Sequence, residues 1–260
     1  MRNYVLDAHA HTLVCGHGYS TITELANAAA EKKLELICLT EHGPELPGAP
    51  EPVFFGNYRI IPGLINNVKI LKGIESNILD DQGNTDIPMN YIQALEIISA
   101  SLHTPTFKPK SKNENTSAVL GAIANPHVDF ICHLGNPQYD LDYEAILQDA
   151  KKTNTLIEIN NASFFVRRGS KPNCEWIANR CKELELPIII GSDTHFATDI
   201  GDFTYVDKVL NAVDFPDELI INLETKRLTD YLEAKGRVLF KDPRQYAEDL
   251  FSQKDETVVK

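Results

Sequence analysis

The 260-residue chain alternates short apolar, β-favouring runs with segments that have a helical pattern. The runs cover residues 4–6, 34–39, 68–74, 96–101, 128–132, 155–159 and 187–190. Strands that alternate with helices predict a parallel sheet, and seven or eight such units favour a closed β/α barrel over an open sheet. A weaker run at residues 219–221 is the candidate for an eighth strand. The length suits one α/β barrel, so we expect a single domain over residues 1–260.

Helices are expected between these runs. Thr21-Ile22-Thr23-Glu24 has the pattern of a capping box and predicts a helix as far as Lys33. Further helices are predicted at residues 57–67, where Pro62 and Gly63 weaken the pattern, and at 89–94, 116–124, 143–153, 173–184, 205–212, 226–235 and 244–251. Residues 45–56 and 108–115 are expected to form loops, and residues 254–260 a solvated, flexible tail.

Composition and charge restrict the partners. The net charge of −12 argues against nucleic acid, because such binding needs a basic surface. A small anionic substrate fits if metal ions supply positive charge. The five cysteines are an odd number without a C-x-x-C pair, which predicts reduced thiols in a cytoplasmic protein. No long apolar segment is present, so we expect neither a signal peptide nor a membrane span.

Seven of the eight histidines directly follow an apolar run or lie in the loop beside His11, and His127 is the exception. In an extended backbone, side chains at i and i+2 point to the same face, so His9 and His11 project together. Acids follow two further runs. The candidate metal ligands are His9, His11, His17, His42, Glu75, His103, His133, Asp193 and His195.

Residues that follow the strands of a β/α barrel meet at its C-terminal end, where active sites of this fold lie. Imidazole and carboxylate ligands suit Zn²⁺, Mn²⁺ or Fe. Nine ligands exceed what one ion accepts. The sequence therefore predicts several ions at the C-terminal ends of the strands, with a carboxylate that bridges two of them.

The ligand motifs resemble those of the PHP (polymerase and histidinol phosphatase) family over about residues 1–236. The Gly-Asn-Pro and Ile-Asn-Asn segments are most similar to its small stand-alone phosphatases of the YcdX type. The motifs are Asp7-Ala8-His9-Ala10-His11, Thr40-Glu41-His42-Gly43, Gly73-Ile74-Glu75, His103, His133-Leu134-Gly135-Asn136-Pro137, Glu158-Ile159-Asn160-Asn161 and Gly191-Ser192-Asp193-Thr194-His195. One departure is Glu41, where the family more often has Asp, and we expect Glu41 to contact a ligand rather than an ion.

The resemblance implies a distorted (β/α)7 barrel that holds three divalent ions, usually zinc. His9, His11, Glu75 and Asp193 would hold the first ion. Glu75 would bridge to a second ion, held also by His103 and His133, and His17, His42 and His195 would hold the third. Glu75, Asp193 and His195 are the residues we expect to be catalytic.

The predicted reaction is hydrolysis of a small phosphomonoester. Hydroxide activated by a trinuclear zinc-type cluster would attack in line with the leaving alcohol, and no nucleophilic Ser or Cys is required. Activity should fall in mild acid, because the ligands must be neutral imidazoles.

Several residues near the predicted site have less specific signals. Arg167, Arg168 and Asn160 follow the sixth run and are candidates for substrate binding, since a guanidinium fork suits phosphate. Asp7 either orients an imidazole or ends its strand. For Cys15 an ordinary loop thiol is favoured over a metal ligand, since free Cys behaves as a small hydrophobe.

Other functions remain open at this stage. An amidohydrolase also begins with H-x-H, but such enzymes typically have a carbamylated Lys where this chain has Glu75. A phosphodiesterase or exonuclease is disfavoured by the acidic charge. A non-catalytic metal-binding module is disfavoured by the full set of ligands. The substrate, the metal at each position and the choice between monomer and homo-oligomer are undetermined.

Overall fold

The computed structural model describes residues 2–240 and 244 and contains a distorted barrel of parallel strands. The barrel strands are β1 (Leu6–Ala10), β2 (Leu36–His42), β4 (Val68–Asn77), β5 (Ile97–Ser101), β6 (Phe130–Ile131), β7 (Leu156–Asn160) and β8 (Ile188–Gly191). Each of these strands pairs with the next one along the chain. The short strand β3 (Leu64–Ile65) is not part of the barrel and pairs antiparallel with β4. The predicted β/α barrel with seven strands is confirmed.

Helices connect the barrel strands. Capping boxes begin two of them, through Thr21 with Glu24 and through Ser111 with Glu114, and each box pairs backbone N–H groups that the first helical turn leaves free. In the described part of the chain, no helix combines the length and the apolar character that a membrane span requires. The helices are α1 (Ile22–Glu31), α2 (Pro52–Gly56), α3 (Lys112–Ala124), α4 (Tyr143–Thr153), α5 (Ser163–Val166), α6 (Ser170–Leu184), α7 (Thr204–Ala212) and α8 (Thr225–Ala234).

The seam between β1 and β8 is closed in two different ways. At the C-terminal end, His11 N donates to Thr194 O and Asp193 N donates to His9 O, both at 2.9 Å. Further down, the Asn222 amide donates to Leu6 O at 3.0 Å and to Ile190 O at 2.7 Å, and Asn222 Oδ1 accepts from Ile190 N at 2.7 Å. One side chain thus replaces a stretch of strand pairing.

The predicted eighth strand at residues 219–221 is wrong. The segment forms the 3₁₀ turns Asp217–Leu219 and Ile221–Leu223, and only Ile220 pairs with a strand in the described structure, through one bridge to Ile188. The amide of Asn222, one residue further on, satisfies backbone groups of both neighbouring strands.

Other predicted boundaries were also wrong. The strands β1, β2 and β4 continue to Ala10, His42 and Asn77, so His9, His42 and Glu75 lie within strands rather than after them. The predicted helix at 57–67 is a 3₁₀ turn, Asn57–Ile60, followed by β3, because Pro62 and Gly63 interrupt it. The predicted loops at 45–56 and 108–115 contain α2 and the start of α3, and the helix at 89–94 is a 3₁₀ helix. The predicted helix at 244–251, except Arg244, and the tail at 254–260 lie outside the described residues.

The N-terminal end of the barrel interior is apolar and closed. Leu6, Phe130 and Ile189 are buried there, and Leu228 and Leu232 of α8 pack against the same cluster. Full burial of such a side chain stabilises the fold by about 1.5–3 kcal/mol. The histidines and acids predicted as metal ligands lie at the opposite, C-terminal end.

Candidate metal centre

Nine ionisable side chains lie together at the C-terminal ends of the barrel strands, and we call them the histidine cluster. β1 carries His9, β2 ends at His42 and β4 carries Glu75. The remaining members follow a barrel strand: His11 and His17 after β1, His103 after β5, His133 after β6, and Asp193 and His195 after β8. The cluster contains every residue that the sequence predicted as a ligand.

One set of atoms lies around a single oxygen of Glu75. His9 Nε2 and His11 Nε2 are 2.9 Å apart and lie 3.4 Å and 3.5 Å from Glu75 Oε2. Asp193 Oδ1 lies 3.6 Å from His9 Nε2 and 3.4 Å from His11 Nε2. Two imidazoles and two carboxylates therefore converge on one point.

The other oxygen of Glu75 faces a second set. Glu75 Oε1 lies 2.7 Å from His133 Nε2 and 3.3 Å from His103 Nε2. The carboxylate of Glu75, which is fully buried, thus lies between two groups of imidazoles.

The third part of the cluster is a stack of imidazoles. The ring centroids of His11 and His42 are 4.2 Å apart, those of His11 and His195 are 4.4 Å apart, and those of His17 and His195 are 4.6 Å apart. His17 Nε2 lies 3.2 Å from His42 Nε2. His17 is exposed at the mouth of the barrel, whereas His11 is fully buried.

Hydrogen bonds at Nδ1 orient three of the imidazoles. His9 Nδ1 donates to Glu158 Oε1 at 2.8 Å, and His103 Nδ1 donates to Asn77 Oδ1 at 2.7 Å. His195 Nδ1 donates to the backbone oxygen of Asp193 at 3.1 Å. Each bond leaves Nε2 as the nitrogen free to bind an ion, an arrangement found around most metal-bound histidines.

Four atoms of the cluster are buried without a hydrogen-bond partner among the described residues. They are His11 Nδ1, His42 Nδ1, Glu75 Oε2 and His195 Nε2. His42 Nδ1 and Glu75 Oε2 are 2.8 Å apart but lie outside hydrogen-bonding geometry. Unpaired buried polar atoms destabilise a fold by about 1–3 kcal/mol each, so a bound cation fits this site better than an empty space does.

The protonation states of the cluster suit metal binding. Burial lowers the pKa of His42 to about 4, although the charge of Glu75 opposes this. Burial and the neighbouring imidazoles hold the pKa of His11 well below its usual value. Burial alone would raise the pKa of Glu75, but the charges of His103, His9 and His42 outweigh it and hold the pKa well below its usual range. At pH 7 His11 and His42 are therefore neutral imidazoles and Glu75 is an ionised carboxylate, the forms that bind metal.

His9 differs from the other imidazoles. Burial would lower its pKa, but the negative charges of Glu158, Asp193 and Glu75 prevail and raise the pKa well above the usual value. An ion at His9 Nε2 would therefore have to compete with a proton for this nitrogen.

Glu158 and Asn77 contact members of the cluster, although sequence analysis named Glu158 only within a motif and did not name Asn77. Glu158 also accepts a hydrogen bond from His133 N at 2.7 Å, so it contacts two members of the cluster. Side chains two positions apart on a strand point to the same face, and this rule could have identified both residues. Asn77 lies two positions after Glu75 on β4, and Glu158 lies two positions before the candidate Asn160 on β7.

Asp7 and Glu41 contact backbone rather than imidazoles. Asp7 Oδ1 accepts from His9 N at 3.2 Å and from Ser192 N at 2.9 Å, which joins the strands at the seam. Glu41 accepts from Thr12 N at 3.0 Å and 3.2 Å. The carboxylate of Glu41 therefore holds the backbone directly after His11, a candidate ligand.

The three residues predicted to bind substrate lie in different surroundings. Both terminal nitrogens of Arg167 donate to Asp193 Oδ2 at 3.0 Å, and Asn160 Nδ2 donates to the same oxygen at 3.2 Å. Arg167, Asp193 and His195 line two cavities at the mouth, of about 510 Å³ and 270 Å³. Arg168 is exposed to solvent. Arg167 is therefore the arginine that a molecule in these cavities would contact.

Comparison with known proteins identifies the family and agrees with the fold. The family model described as PHP domain matches residues 7–166. A probable phosphatase of Caldanaerobacter subterraneus subsp. tengcongensis is 45% identical over 235 residues, which are 90% of this chain and 92% of that protein.

Two solved structures share the fold. Histidinol phosphate phosphatase of Lactococcus lactis subsp. lactis, complexed with zinc, L-histidinol and phosphate, has a TM-score of 0.56 at 17% identity over 91% of this chain and 95% of that chain. A chain of archaeal ribonuclease P, solved with mature tRNA, has a TM-score of 0.58 at 13% identity over 88% of this chain and 90% of that chain. At these identities the two matches establish the fold alone.

Proposed function

The chain belongs to the PHP family, and we propose that it is a metal-dependent phosphatase that hydrolyses small phosphomonoesters at the histidine cluster. The observation that carries this proposal is the position of Glu75, whose two oxygens face separate sets of imidazoles at 2.7–3.5 Å. A buried carboxylate in this position suits a bridge between two cations, since paired divalent ions stabilise both oxygens of a phosphoryl displacement.

Three divalent ions would together use all nine candidate ligands of the cluster. We assign zinc as the first choice, with Mn²⁺ or Fe as alternatives, because the ligands are imidazoles and carboxylates. The first ion would be held by His9, His11, Glu75 and Asp193, the second by Glu75, His103 and His133, and the third by His17, His42 and His195. The unpartnered atoms on His11, His42, Glu75 and His195 support this assignment, because bound cations would satisfy them.

Bound divalent ions would supply positive charge to a phosphate and lower the pKa of a water molecule towards 7. The residues of the chain would bind the ions and orient the phosphate. Glu75 and Asp193 would bind the divalent cations through their carboxylates. Glu158 accepts a hydrogen bond from His9 Nδ1 and so keeps His9 Nε2 directed at the cluster. His195 lines both cavities beside Arg167, and together they would orient the phosphate.

The substrate class follows from the cavities and the charge. The larger cavity at the mouth, of about 510 Å³, can take a small ester and its leaving alcohol, since ligand pockets measure about 300–1,000 Å³. The net charge of −12 disfavours a polyanionic nucleic acid, whereas one phosphate can be neutralised by the ions and Arg167.

The test is turnover of p-nitrophenyl phosphate before and after chelation, with elemental analysis of the purified protein. We expect activity that is lost on chelation and restored by Zn²⁺ or Mn²⁺. A panel of phosphometabolites should begin with histidinol phosphate, because the Lactococcus lactis enzyme was solved with histidinol and phosphate.

Parallel assays separate the alternatives. An amide substrate and single-stranded DNA are offered to the same preparation, and preferred turnover of either would replace the phosphatase assignment with an amidohydrolase or an exonuclease. Phosphatase activity that persists without metal would contradict the proposal, as would a fully metal-loaded protein that hydrolyses none of these substrates.

A further inference from the structure

Cys15 lies among the imidazoles of the histidine cluster. Its side chain is fully buried, and its sulfur is within 4.8 Å of one ring nitrogen each of His11, His42 and His195. The loop thiol predicted from the sequence would instead pack among apolar groups. The structure surrounds this sulfur with groups that bind metal.

The three imidazoles around Cys15 each have an unsatisfied nitrogen. His11 Nδ1, His42 Nδ1 and His195 Nε2 are buried and have no hydrogen-bond partner in the described part of the chain. We propose that Cys15 is a sulfur ligand of the third ion, the one assigned to His17, His42 and His195. This inference rests on the proposed metal centre but not on the identity of the substrate.

The loop around Cys15 is built closely around the sulfur. Residues Leu13–Cys15 form a 3₁₀ turn, and Gly16 follows it with φ +82°, a conformation that other residues rarely adopt. A Cβ at Gly18 would lie 2.2 Å from Thr12 O and 3.2 Å from Cys15 Sγ, so only glycine fits there without a shift. The two glycines therefore allow the chain to pass over the thiol and present its backbone amides to it.

Two of these amides would stabilise a thiolate. The backbone amides of His17 and Gly18 face the sulfur of Cys15 within hydrogen-bonding reach. When the metal–sulfur bond forms, the S–H bond breaks and the proton passes to solvent. The amides then face a negatively charged sulfur, which they favour.

Cys132 is the other thiol near the cluster, and its surroundings differ. Its sulfur is within 4.8 Å of ligand atoms of His9 and Glu158. His9 Nδ1 already donates a hydrogen bond to Glu158 Oε1 at 2.8 Å, and Glu158 also accepts a hydrogen bond from His133 N. His9 and Glu158 beside Cys132 are thus hydrogen-bonded to each other, whereas each of the three imidazoles near Cys15 has one nitrogen without a partner in the described part of the chain.

A sulfur ligand would change the metal preference of this position. Thiolates are soft ligands that favour zinc, whereas Mn²⁺ prefers oxygen ligands. Loss of the sulfur should weaken zinc binding at one position by at least tenfold, since loss of a residue that merely orients a ligand already costs about 10–100-fold. Binding of Mn²⁺ should change much less.

X-ray absorption of the zinc-loaded wild-type protein tests the proposal without any substitution. We expect a sulfur neighbour at about 2.3 Å from zinc. Cobalt-loaded protein should likewise show a sulfur-to-metal charge-transfer band in the near ultraviolet. Both signals should disappear in Cys15→Ser, together with the tenfold loss of zinc affinity.

The matched control is Cys181→Ser, which removes an equally buried thiol from α6, where Cys181 packs in the apolar core. This variant and Cys132→Ser should keep the sulfur signal. Absence of sulfur around zinc in the wild type would overturn the inference and leave the phosphatase proposal standing, as would a signal that only Cys132→Ser removes. A protein that binds no metal would contradict both the assignment of Cys15 as a ligand and the phosphatase proposal.

Discussion

At the scale of single residues, Asp193 connects the cluster to the substrate side of the mouth. One carboxylate oxygen faces His9 and His11, and the other accepts two hydrogen bonds from Arg167. Asp193 also has φ +57°, and His133 has φ +31°, although neither is glycine. Such backbone costs about 1–3 kcal/mol per residue. The fold therefore holds these two side chains in positions that the local backbone does not favour.

The pair Arg167 and Arg168 gives a prediction with a built-in control. Arg167→Ala should raise KM for p-nitrophenyl phosphate at least tenfold, because it removes the guanidinium beside Asp193 at the mouth and a charge-assisted hydrogen bond is worth about 1.5–3 kcal/mol. Arg168→Ala should leave KM within about twofold, since surface substitutions usually change energies by about 0.5 kcal/mol or less. Steady-state kinetics at constant metal loading decide this. Equal effects of the two substitutions would remove Arg167 from the substrate site.

At the scale of elements, the sequence predicted the barrel because each strand–helix unit has its own local pattern. It also predicted which residues would meet, because parallel strands direct their C-terminal ends to one side. Strand ends were less predictable. His42 and Glu75 lie within strands because β2 and β4 pair as far as these two residues, and pairing between separate segments leaves no local signal in the sequence. The difference between Arg167 and Arg168, and the position of Cys15, depend on loop geometry for which the sequence has no periodic signal.

The seam between β1 and β8 gives a prediction for one element contact. Asn222→Ala should lower the free energy of unfolding by at least 3 kcal/mol, because Leu6 O, Ile190 O and Ile190 N would lose partners and each buried unpaired group costs about 1–3 kcal/mol. Denaturant unfolding measures the change. Asn179→Ala on the exposed surface of α6 is the control and should change the free energy by about 0.5 kcal/mol or less. If both variants unfold alike, the amide of Asn222 does not hold the seam.

At the scale of the whole molecule, the two ends of the barrel contribute to stability in different ways. The N-terminal end is closed by apolar packing of α8, which is independent of metal. The C-terminal end buries ionisable groups, several of them unpartnered in the described structure. Apolar burial therefore stabilises one end, and the other end depends on what binds there.

Metal removal should consequently lower the melting temperature without unfolding the protein at 25 °C. A ligand at a free concentration 1,000 times its Kd stabilises the native state by about 4 kcal/mol, which corresponds to roughly 8–16 °C in a chain of this size. Thermal unfolding followed by circular dichroism, with and without chelator, measures the shift, and added Zn²⁺ should reverse it. Glu75→Gln keeps the shape of the proposed bridging side chain but removes its charge, so chelation should shift its melting temperature by less than half as much. A wild-type melting temperature indifferent to chelation, in a protein whose metal has been removed, would mean that the ions do not stabilise this end of the barrel.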